Sequence, residues 1–203
     1  MKPAFSILFL LLSSQLICQT QGKKYADGHG GSIFLPLGDL SFADEVVEFK
    51  RGDPDAITEA CDSTLALHIP DFAGVAENFT SLGCGGSLIL RFVDNALINI
   101  PGPDLFVFEV GKYIETTQLY VSKDGKEWIN AGAISGGVIA VDMGDSVKKG
   151  EVFHYVKLVD LKTDCKGSWP GADIDAIAAI GSGKQISISN GVLYMINEYK
   201  ILP

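Results

Sequence analysis

Residues 118–131 read QLYVSKDGKEWINA, and this stretch decides the fold class. Apolar and polar side chains alternate on both sides of Asp124-Gly125, which is the pattern of two β-strands joined by a tight turn. Gly125 has no Cβ, so it accepts the positive φ that a type I′ turn requires. The pattern therefore predicts a hairpin formed by Gln118–Ser122 and Trp128–Ala131.

Short runs of the same kind follow one another from about residue 40, and no long stretch has helical periodicity. In Ser87–Val93, for example, Leu88, Leu90 and Phe92 share one face while Arg91 points the other way. The remaining predicted strands are Glu45–Lys50, Leu105–Val110, Val138–Val141, Phe153–Val159, Ile174–Ile180, Gln185–Ser189 and Leu193–Lys200. Strands of this length and spacing predict an all-β fold, a jelly-roll β-sandwich of about eight or more antiparallel strands.

The amino-terminal residues differ from the rest of the chain. A basic start, Met1-Lys2, is followed by the apolar run FSILFLLL at 5–12 and by polar residues at 19–24. This order is typical of a secretory signal peptide, predicted here as residues 1–20. The apolar run is shorter than the roughly 20 residues of a membrane-spanning helix, and no later segment is long and apolar enough to be one.

A lipidated Cys18 is the alternative reading, although Leu16 and Ile17 stand where lipoprotein processing favours small residues. We expect a flexible lead-in at 21–39, followed by one β-sandwich domain at 40–203. The protein would then be secreted, at the cell surface or periplasmic.

Charge and cysteine content limit the classes of partner. The net charge of −9, with no cluster of basic residues, argues against nucleic acid and anionic membrane surfaces as partners. Neutral glycans, cations and basic proteins remain compatible with it. Export favours one disulfide among Cys61, Cys84 and Cys165, and spacing does not choose among the three pairings. No C-x-x-C pair indicates a zinc or redox site.

Carboxylate and amide oxygens recur at the ends of the predicted strands. Such groups repel one another unless a cation neutralises them, and Ca²⁺ takes six to eight oxygen ligands in flexible geometry. We therefore predict a structural calcium site, with Glu109 and Asp160 as weaker candidate ligands and the main candidates Asp94, Asn95, Asp104, Asp173 and Asp175. The alternative is that these aspartates form turns by accepting hydrogen bonds from nearby backbone N–H groups.

Four segments in this order resemble a known group of proteins: FADEVVEFKRG (42–52), GGSLILRFVDN (85–95), PGPDLFVFE (101–109) and GADIDAI (171–177). Together with the VSKDGKEW hairpin, they resemble galactose-binding-like (discoidin-like) β-sandwiches, and in particular an uncharacterised family of exported bacterial cell-surface proteins. The resemblance implies the fold and an exported setting. It also implies a structural calcium near such loops, and no defined activity.

Exposed loop aromatics are the candidate ligand-binding residues. Trp169 lies between glycines and beside a proline, and Tyr113 follows Gly111-Lys112. Either ring could stack on a sugar, or fold back as a lid on the core. The sequence thus favours a non-enzymatic module that binds a glycan or envelope polymer.

Two other function classes stay open beside this one. The first is a structural or protein-interaction subunit of a cell-envelope assembly, with no small ligand. The second is a glycoside hydrolase, whose carboxylate pair is set by geometry rather than by sequence spacing. It is less favoured because the clustering of acidic residues at strand ends, beside apolar neighbours, favours a cation site.

Overall fold

The computed structural model describes residues 22–67, 69–71, 75–110, 115–135, 140–187 and 193–196. The predicted signal peptide at 1–20, with Cys18, lies outside these residues, and so does Tyr113. No described helix is long and apolar enough to cross a membrane.

The described residues form antiparallel β-strands and short 3₁₀ helices. The 3₁₀ helices are Gly38–Ser41, Thr58–Ala60, Ser63–Ala66, Ala76–Asn78 and Gly144–Ser146. The strands are β1 (Lys23–Ala26), β2 (Ser32–Leu35), β3 (Glu45–Lys50), β4 (Thr80–Ser81), β5 (Ser87–Arg91), β6 (Asn95–Ile98), β7 (Leu105–Glu109), β8 (Thr117–Ser122), β9 (Ile129–Ile134), β10 (Ala140–Val141), β11 (Val152–Phe153), β12 (Tyr155–Asp160), β13 (Asp173–Ala179), β14 (Ser182–Ser187) and β15 (Leu193–Ile196). The predicted all-β class is confirmed.

Two layers of sheet enclose the main core. One layer is the five-stranded sheet β3-β5-β12-β8-β9, and the other contains the sheets β10-β7-β13-β4 and β11-β6-β14-β15. Alternate residues of each strand point inward, as the two-residue period of a strand requires. The buried side chains that meet between the layers include Leu88, Leu90, Leu119, Val121, Val156 and Leu158 from the first layer and Leu105, Val107, Ile174 and Ile177 from the second. This packing makes the molecule a β-sandwich.

In the segment 21–39, predicted to be a flexible lead-in, Lys23–Ala26 and Ser32–Leu35 form the hairpin β1–β2, which packs on the outer face of β7 and β13. Tyr25 and Leu35 of the hairpin pack with Phe106 and Phe108 of β7, and Phe42 joins the same cluster. Every residue of β7 and β13 is therefore buried, since both faces of these strands are covered. The prediction was wrong because the glycines around residue 28 form the turn of a hairpin, whose two buried apolar side chains tie it to the sheet.

The predicted hairpin at 118–131 forms with a longer turn. Val121 pairs with Ile129, so a loop of several residues replaces the two-residue turn. The Ser122 hydroxyl accepts a hydrogen bond from the backbone N–H of Gly125 at 3.0 Å. The Asp124 carboxylate accepts two more, from the N–H groups of Lys126 and Glu127. These side-chain acceptors stabilise the wider turn, and Gly125 keeps its positive φ.

Candidate functional site

The structure divides the predicted calcium ligands between the two ends of the sandwich. Asp104 lies just before β7 and Glu109 is its last residue. Five strand residues span about 17 Å at 3.4 Å per residue. Asp173 pairs with Ser81, and its neighbour Ile174 pairs with Glu109, so Asp173 lies at the Glu109 end. Asp104 and Asp173 are therefore too far apart to bind one cation.

Asp104 accepts hydrogen bonds from the backbone of several neighbouring loop residues. Its carboxylate accepts hydrogen bonds from the N–H groups of Ile100 (2.6 Å) and Met143 (2.7 Å). Its carbonyl oxygen accepts two more, from Ile180 and Gly181. Burial raises the pKa of this carboxyl to about 6. These contacts agree with the turn-forming alternative for Asp104.

Asp94 and Asn95 lie at the Arg91 end of β5, whereas Asp160 adjoins Gly86 at the opposite end of the same strand. Asp94 is exposed, and Asp44 Oδ2 accepts a hydrogen bond from its backbone N–H (3.4 Å). Asn95 is fully buried in β6, and its side-chain amide finds no hydrogen-bond partner within the described part of the chain. The structure does not bring this pair to Asp173.

Three carboxyl groups lie near enough to interact electrostatically where β7, β8 and β13 meet, and we name Glu109, Glu115 and Asp173 the acidic cluster. Glu109 Oε1 accepts a hydrogen bond from the backbone N–H of Glu115 at 3.1 Å, and the two side chains also hydrogen bond to each other. Burial raises the pKa of Glu109, and the neighbouring Glu115 raises it further. Burial raises the pKa of Glu115 as well.

Asp173 completes the acidic cluster. It is only 7% exposed, and burial raises its pKa to about 8, opposed by the nearby Ser81 hydroxyl and reinforced by the charge of Glu115. Among the described residues its buried Oδ1 atom has no hydrogen-bond partner. Among the described residues, no lysine or arginine forms an ion pair with the acidic cluster. The acidic cluster therefore has carboxyl oxygen atoms whose negative charge no basic side chain of the described residues neutralises.

The sequence pointed to Glu109 and Asp173 but missed Glu115. Nothing in the pattern around Glu115 marks it as a half-buried neighbour of Glu109, because its place there comes from the return of the chain into β8. Asp175 lies near the acidic cluster in sequence but has a different partner. A bulge between Ile174 and Ala176 interrupts the strand alternation, and Asp175 Oδ1 accepts a hydrogen bond from the Asp71 N–H at 3.3 Å.

The Asp160 carboxylate holds neighbouring loops together by accepting hydrogen bonds from their backbone. Its Oδ1 accepts hydrogen bonds from the N–H groups of Gly85 (2.7 Å) and Lys162 (2.9 Å), and its Oδ2 accepts one from Ala172 (3.3 Å). A carboxylate oxygen also lies within 4.8 Å of the sulfur atoms of Cys84 and Cys165. Because those sulfur atoms are joined in a disulfide, they are not available as metal ligands. Cys61 is the free cysteine.

The backbones of three loops cross beside this disulfide. A Cβ atom on Gly52 would collide with the backbone of Gly83, and one on Gly171 would collide with the Gly83 carbonyl oxygen. Gly171 also has a φ of +77°, which disfavours any other residue. The tripeptide Arg51-Gly52-Asp53 lies in this crossing, where Gly52 donates to the Leu82 carbonyl and Asp53 to that of Cys84. Its backbone is therefore held in the crossing, while the side chains of Arg51 and Asp53 are exposed.

Trp169 lies on the loop between β12 and β13, close to the acidic cluster. Trp169 is 40% exposed, and its ring rests edge-on against buried Phe79, with ring centroids 5.3 Å apart at an angle of 86°. The Ile57 N–H donates to the carbonyl of Ser168 at 3.0 Å, and the Ser81 hydroxyl donates to that of Pro170 at 3.3 Å. The indole is thus held in a fixed position with part of its surface open. Exposed Ile57 extends the apolar surface beside it.

Comparison with known proteins supplies no family. No protein-family profile matches the chain, and no curated protein matches it. The chain is similar to the C-terminal domain of a chitobiase from Bacteroides fragilis, with 14% identity, a TM-score of 0.41, and coverage of 78% of this chain and 97% of that one. It is also similar to chitosan-binding module 1 of a chitosanase/glucanase from Paenibacillus sp. IK-5 (13%, 0.45, 70% and 98%).

A third similar structure is CBM32-3 from a family 31 glycoside hydrolase of Clostridium perfringens (12%, 0.38, 70% and 93%). A likeness of this degree carries no conclusion about the family or the ligand of this chain.

Proposed function

We propose that this chain is a non-catalytic, glycan-binding β-sandwich whose ligand rests on Trp169. The observation that supports this proposal most is the geometry of Trp169, which is 40% exposed and whose indole is fixed by Phe79 beneath it. An aromatic face is electron-rich and attracts the C–H groups on the apolar side of a sugar ring. Tryptophan also provides a large contact area with little loss of conformational entropy.

The proposed setting is outside the cytoplasm, with a glycan or envelope polymer as the ligand. The Cys84–Cys165 disulfide supports this setting, because disulfides persist in oxidising compartments. A role as an interaction subunit without a glycan is the alternative, and the binding experiment below separates the two.

The arrangement of the acidic cluster argues against glycoside hydrolysis. Buried carboxyls with raised pKa values occur in hydrolase active sites. Glycosidases, however, hold their two carboxyl groups roughly 5–9.5 Å apart, leaving room for the sugar and water. Glu109 and Glu115 hydrogen bond to each other directly, which leaves no such space between them.

We propose further that the acidic cluster binds a structural Ca²⁺. Glu109, Glu115 and Asp173 would hold the ion, with the Ser81 hydroxyl beside Asp173. The proposal rests on the unpartnered Oδ1 of Asp173 and on a donor set made of carboxylate oxygens, which calcium prefers. Among the described residues the oxygen atoms of the three groups do not all lie within 4.8 Å of one another, so binding one ion requires these side chains to move. The ion would supply the positive charge that keeps the three carboxyls ionised when buried.

Titration of the protein with a panel of neutral oligosaccharides, followed by calorimetry, tests the glycan proposal. We expect Trp169→Ala to abolish binding, because the stacking surface is removed. Phe34→Ala is the matched control, since Phe34 is also 40% exposed but lies on the β1–β2 hairpin. Absence of binding to every glycan by the unmodified protein, or equal binding by Trp169→Ala, would refute the proposal and favour an interaction subunit.

Thermal unfolding with excess calcium and with a chelator tests the metal proposal. A ligand that binds only the folded state at a hundredfold excess over Kd stabilises by about 2.7 kcal/mol. We expect calcium to raise the midpoint in the unmodified protein and not in Asp173→Ala. Asp94→Ala is the control and should keep the response to calcium, because Asp94 lies at the Arg91 end of β5, away from the acidic cluster. A thermal unfolding midpoint that calcium does not change would contradict the proposed calcium site.

A further inference from the structure

The surface beside Trp169 is built from a segment that is rich in acidic residues. From Gly52 to Leu90 the sequence has six aspartates and glutamates and no lysine or arginine. This segment reaches the Trp169 loop, because the Ile57 N–H donates to the Ser168 carbonyl at 3.0 Å and Phe79 lies beneath the indole. Its negative charge therefore lies next to the proposed glycan site.

Two exposed glutamates of this segment lie near Phe79. Glu59 is the middle residue of the 3₁₀ helix Thr58–Ala60, and Glu77 is the middle residue of Ala76–Asn78. The two helices are in contact, the first ends at a residue that packs against Phe79, and the second ends just before it. Within the described part of the chain neither glutamate forms an ion pair.

Two exposed aspartates are bonded to the residues on either side of Phe79. The carbonyl of Asp62 accepts a hydrogen bond from the Thr80 hydroxyl at 2.8 Å, and the carboxylate of Asp71 accepts one from the Asn78 side-chain amide at 3.4 Å. Four carboxylates thus belong to the surface around the ring that supports the indole. We name them the acidic rim: Glu59, Asp62, Asp71 and Glu77.

The basic residues near the acidic rim do not neutralise it. Arg51, just before the acidic segment, already pairs with Asp55 at 3.0 Å. The loop that carries the indole has two exposed lysines, Lys162 and Lys166, and one exposed aspartate, Asp164. Because the aspartate cancels one lysine, this loop offsets only one of the four charges of the acidic rim. The surface keeps a net negative charge.

The indole of Trp169 is open to a cation from outside the protein. An ammonium group is attracted to the electron-rich face of an aromatic ring, and tryptophan attracts it best. At Trp128 this place is taken, since Lys157 Nζ lies 4.5 Å from the ring centroid. No lysine or arginine among the described residues lies over Trp169 in this way.

We propose that the glycan bound at Trp169 carries free amino groups, as a polymer of unacetylated amino sugars does. This inference rests on the glycan-binding function proposed above and adds the chemical class of the ligand. The protonated amines would lie beside the indole and the carboxylates of the acidic rim, while the C–H surface of the sugar contacts the ring. The net charge of −9 attracts such a polymer and repels an anionic one.

A lysine-rich peptide has the same charge as such a glycan but fits the site less well. Each lysine side chain loses rotamer freedom when it is fixed on a surface, whereas the amine of an amino sugar is attached directly to a rigid ring. The glycan is therefore the favoured ligand, and the peptide is included in the test.

Calorimetry with a glucosamine tetrasaccharide and with its fully N-acetylated form tests the inference, at a pH at which the amines are protonated. Acetylation removes the positive charges and keeps the sugar backbone. We expect the amine-bearing form to bind about tenfold or more tightly, and the difference to shrink at high salt because the acidic rim is exposed. Trp169→Ala should abolish binding of the amine-bearing form.

Variants of the charged residues give a second readout. Glu59→Gln with Glu77→Gln should weaken binding of the glucosamine tetrasaccharide about tenfold and leave that of the N-acetylated form unchanged. Lys166→Gln should strengthen it, because a repelling charge is removed from the Trp169 loop. Glu127→Gln is the control and should bind as the unmodified protein does, since Glu127 is exposed on the loop between β8 and β9. Thermal unfolding of each variant establishes that it is folded.

The outcomes separate this inference from the glycan proposal on which it rests. Equal or tighter binding of the N-acetylated form would overturn the inference and leave the glycan proposal in place. Full affinity in the folded double variant, or weaker binding by Lys166→Gln, would do the same. Tighter binding of tetralysine than of the tetrasaccharide would also overturn it, in favour of a basic protein partner. If neither tetrasaccharide nor any neutral glycan binds, both proposals fail together.

Discussion

Cys84 and Cys165 are joined by a disulfide across 81 residues of sequence, and it ties the β4–β5 loop to the loop that carries Trp169. Asp160 reinforces the same junction, since its carboxylate accepts hydrogen bonds from residues of both loops. The position of the exposed indole therefore depends on contacts below the surface as well as on Phe79.

Removal of the disulfide should lower stability and loosen the Trp169 loop. We expect Cys84→Ser with Cys165→Ser to reduce the free energy of unfolding by about 2–5 kcal/mol, because a long loop is released in the unfolded chain. Denaturant titration measures the loss. Cys61→Ser is the control and should change little, since Cys61 is unpaired. Equal stability of the double variant and the parent would count against a structural role for the bond.

Asp160→Asn should destabilise the fold although it keeps the shape of the side chain. The amide group would turn an N–H donor towards a backbone N–H donor, and about 2–3 kcal/mol would be lost with one buried, charge-assisted hydrogen bond. Asp142→Asn is the matched control, because Asp142 is exposed and its carboxylate accepts from Gly144. Similar unfolding midpoints for the two variants would refute the structural role assigned to the Asp160 carboxylate.

Stability without calcium should fall as the pH rises from about 5 to about 8. Burial raises the pKa of Asp104 to about 6 and that of Asp173 to about 8 in the folded protein. Both groups bind protons more tightly when folded, so their contribution to stability is present at low pH and lost as the pH rises through these values.

Thermal unfolding in a chelator-containing buffer series measures this dependence. We expect Asp173→Asn to flatten the upper part of the decline, because its side chain does not ionise. Saturating calcium should flatten the decline in the parent protein by stabilising the ionised cluster. A parent midpoint that is constant or rises over this pH range would contradict the raised pKa values.

The β1–β2 hairpin should contribute to stability through one face only. Leu35 is fully buried against β7 and β13, so Leu35→Ala should cost about 2–5 kcal/mol. Phe34→Ala should stay within about 0.5 kcal/mol, because Phe34 points outward. Denaturant titration compares the two variants, and binding of a hydrophobic dye by Leu35→Ala would report exposure of Phe106 and Phe108. Equal effects of the two substitutions would show that the hairpin does not pack as described.

The sequence predicts the strands better than it predicts the site. Alternation in segments such as 87–93 identifies a strand because burial of one face is a local property. The sequence does not predict the β1–β2 hairpin, because its two buried apolar side chains stand among polar residues and glycines and produce no clear alternation. Asp104 and Asp173 look equivalent in sequence, yet antiparallel pairing of β7 with β13 places them at opposite ends. The exposure of Trp169 depends on Phe79, ninety residues earlier in the chain, which no local pattern reveals.

The crossing of Gly52, Gly83 and Gly171 has a consequence for how this protein can vary. A side chain added at any one of these positions collides with main-chain atoms. Main-chain atoms are the same in every amino acid, so no second substitution removes the collision. Compensating mutations are therefore not available within the crossing, and the three positions constrain one another as a unit. In a library randomised at all three, we expect folded clones to retain glycine at every one rather than to exchange it among them.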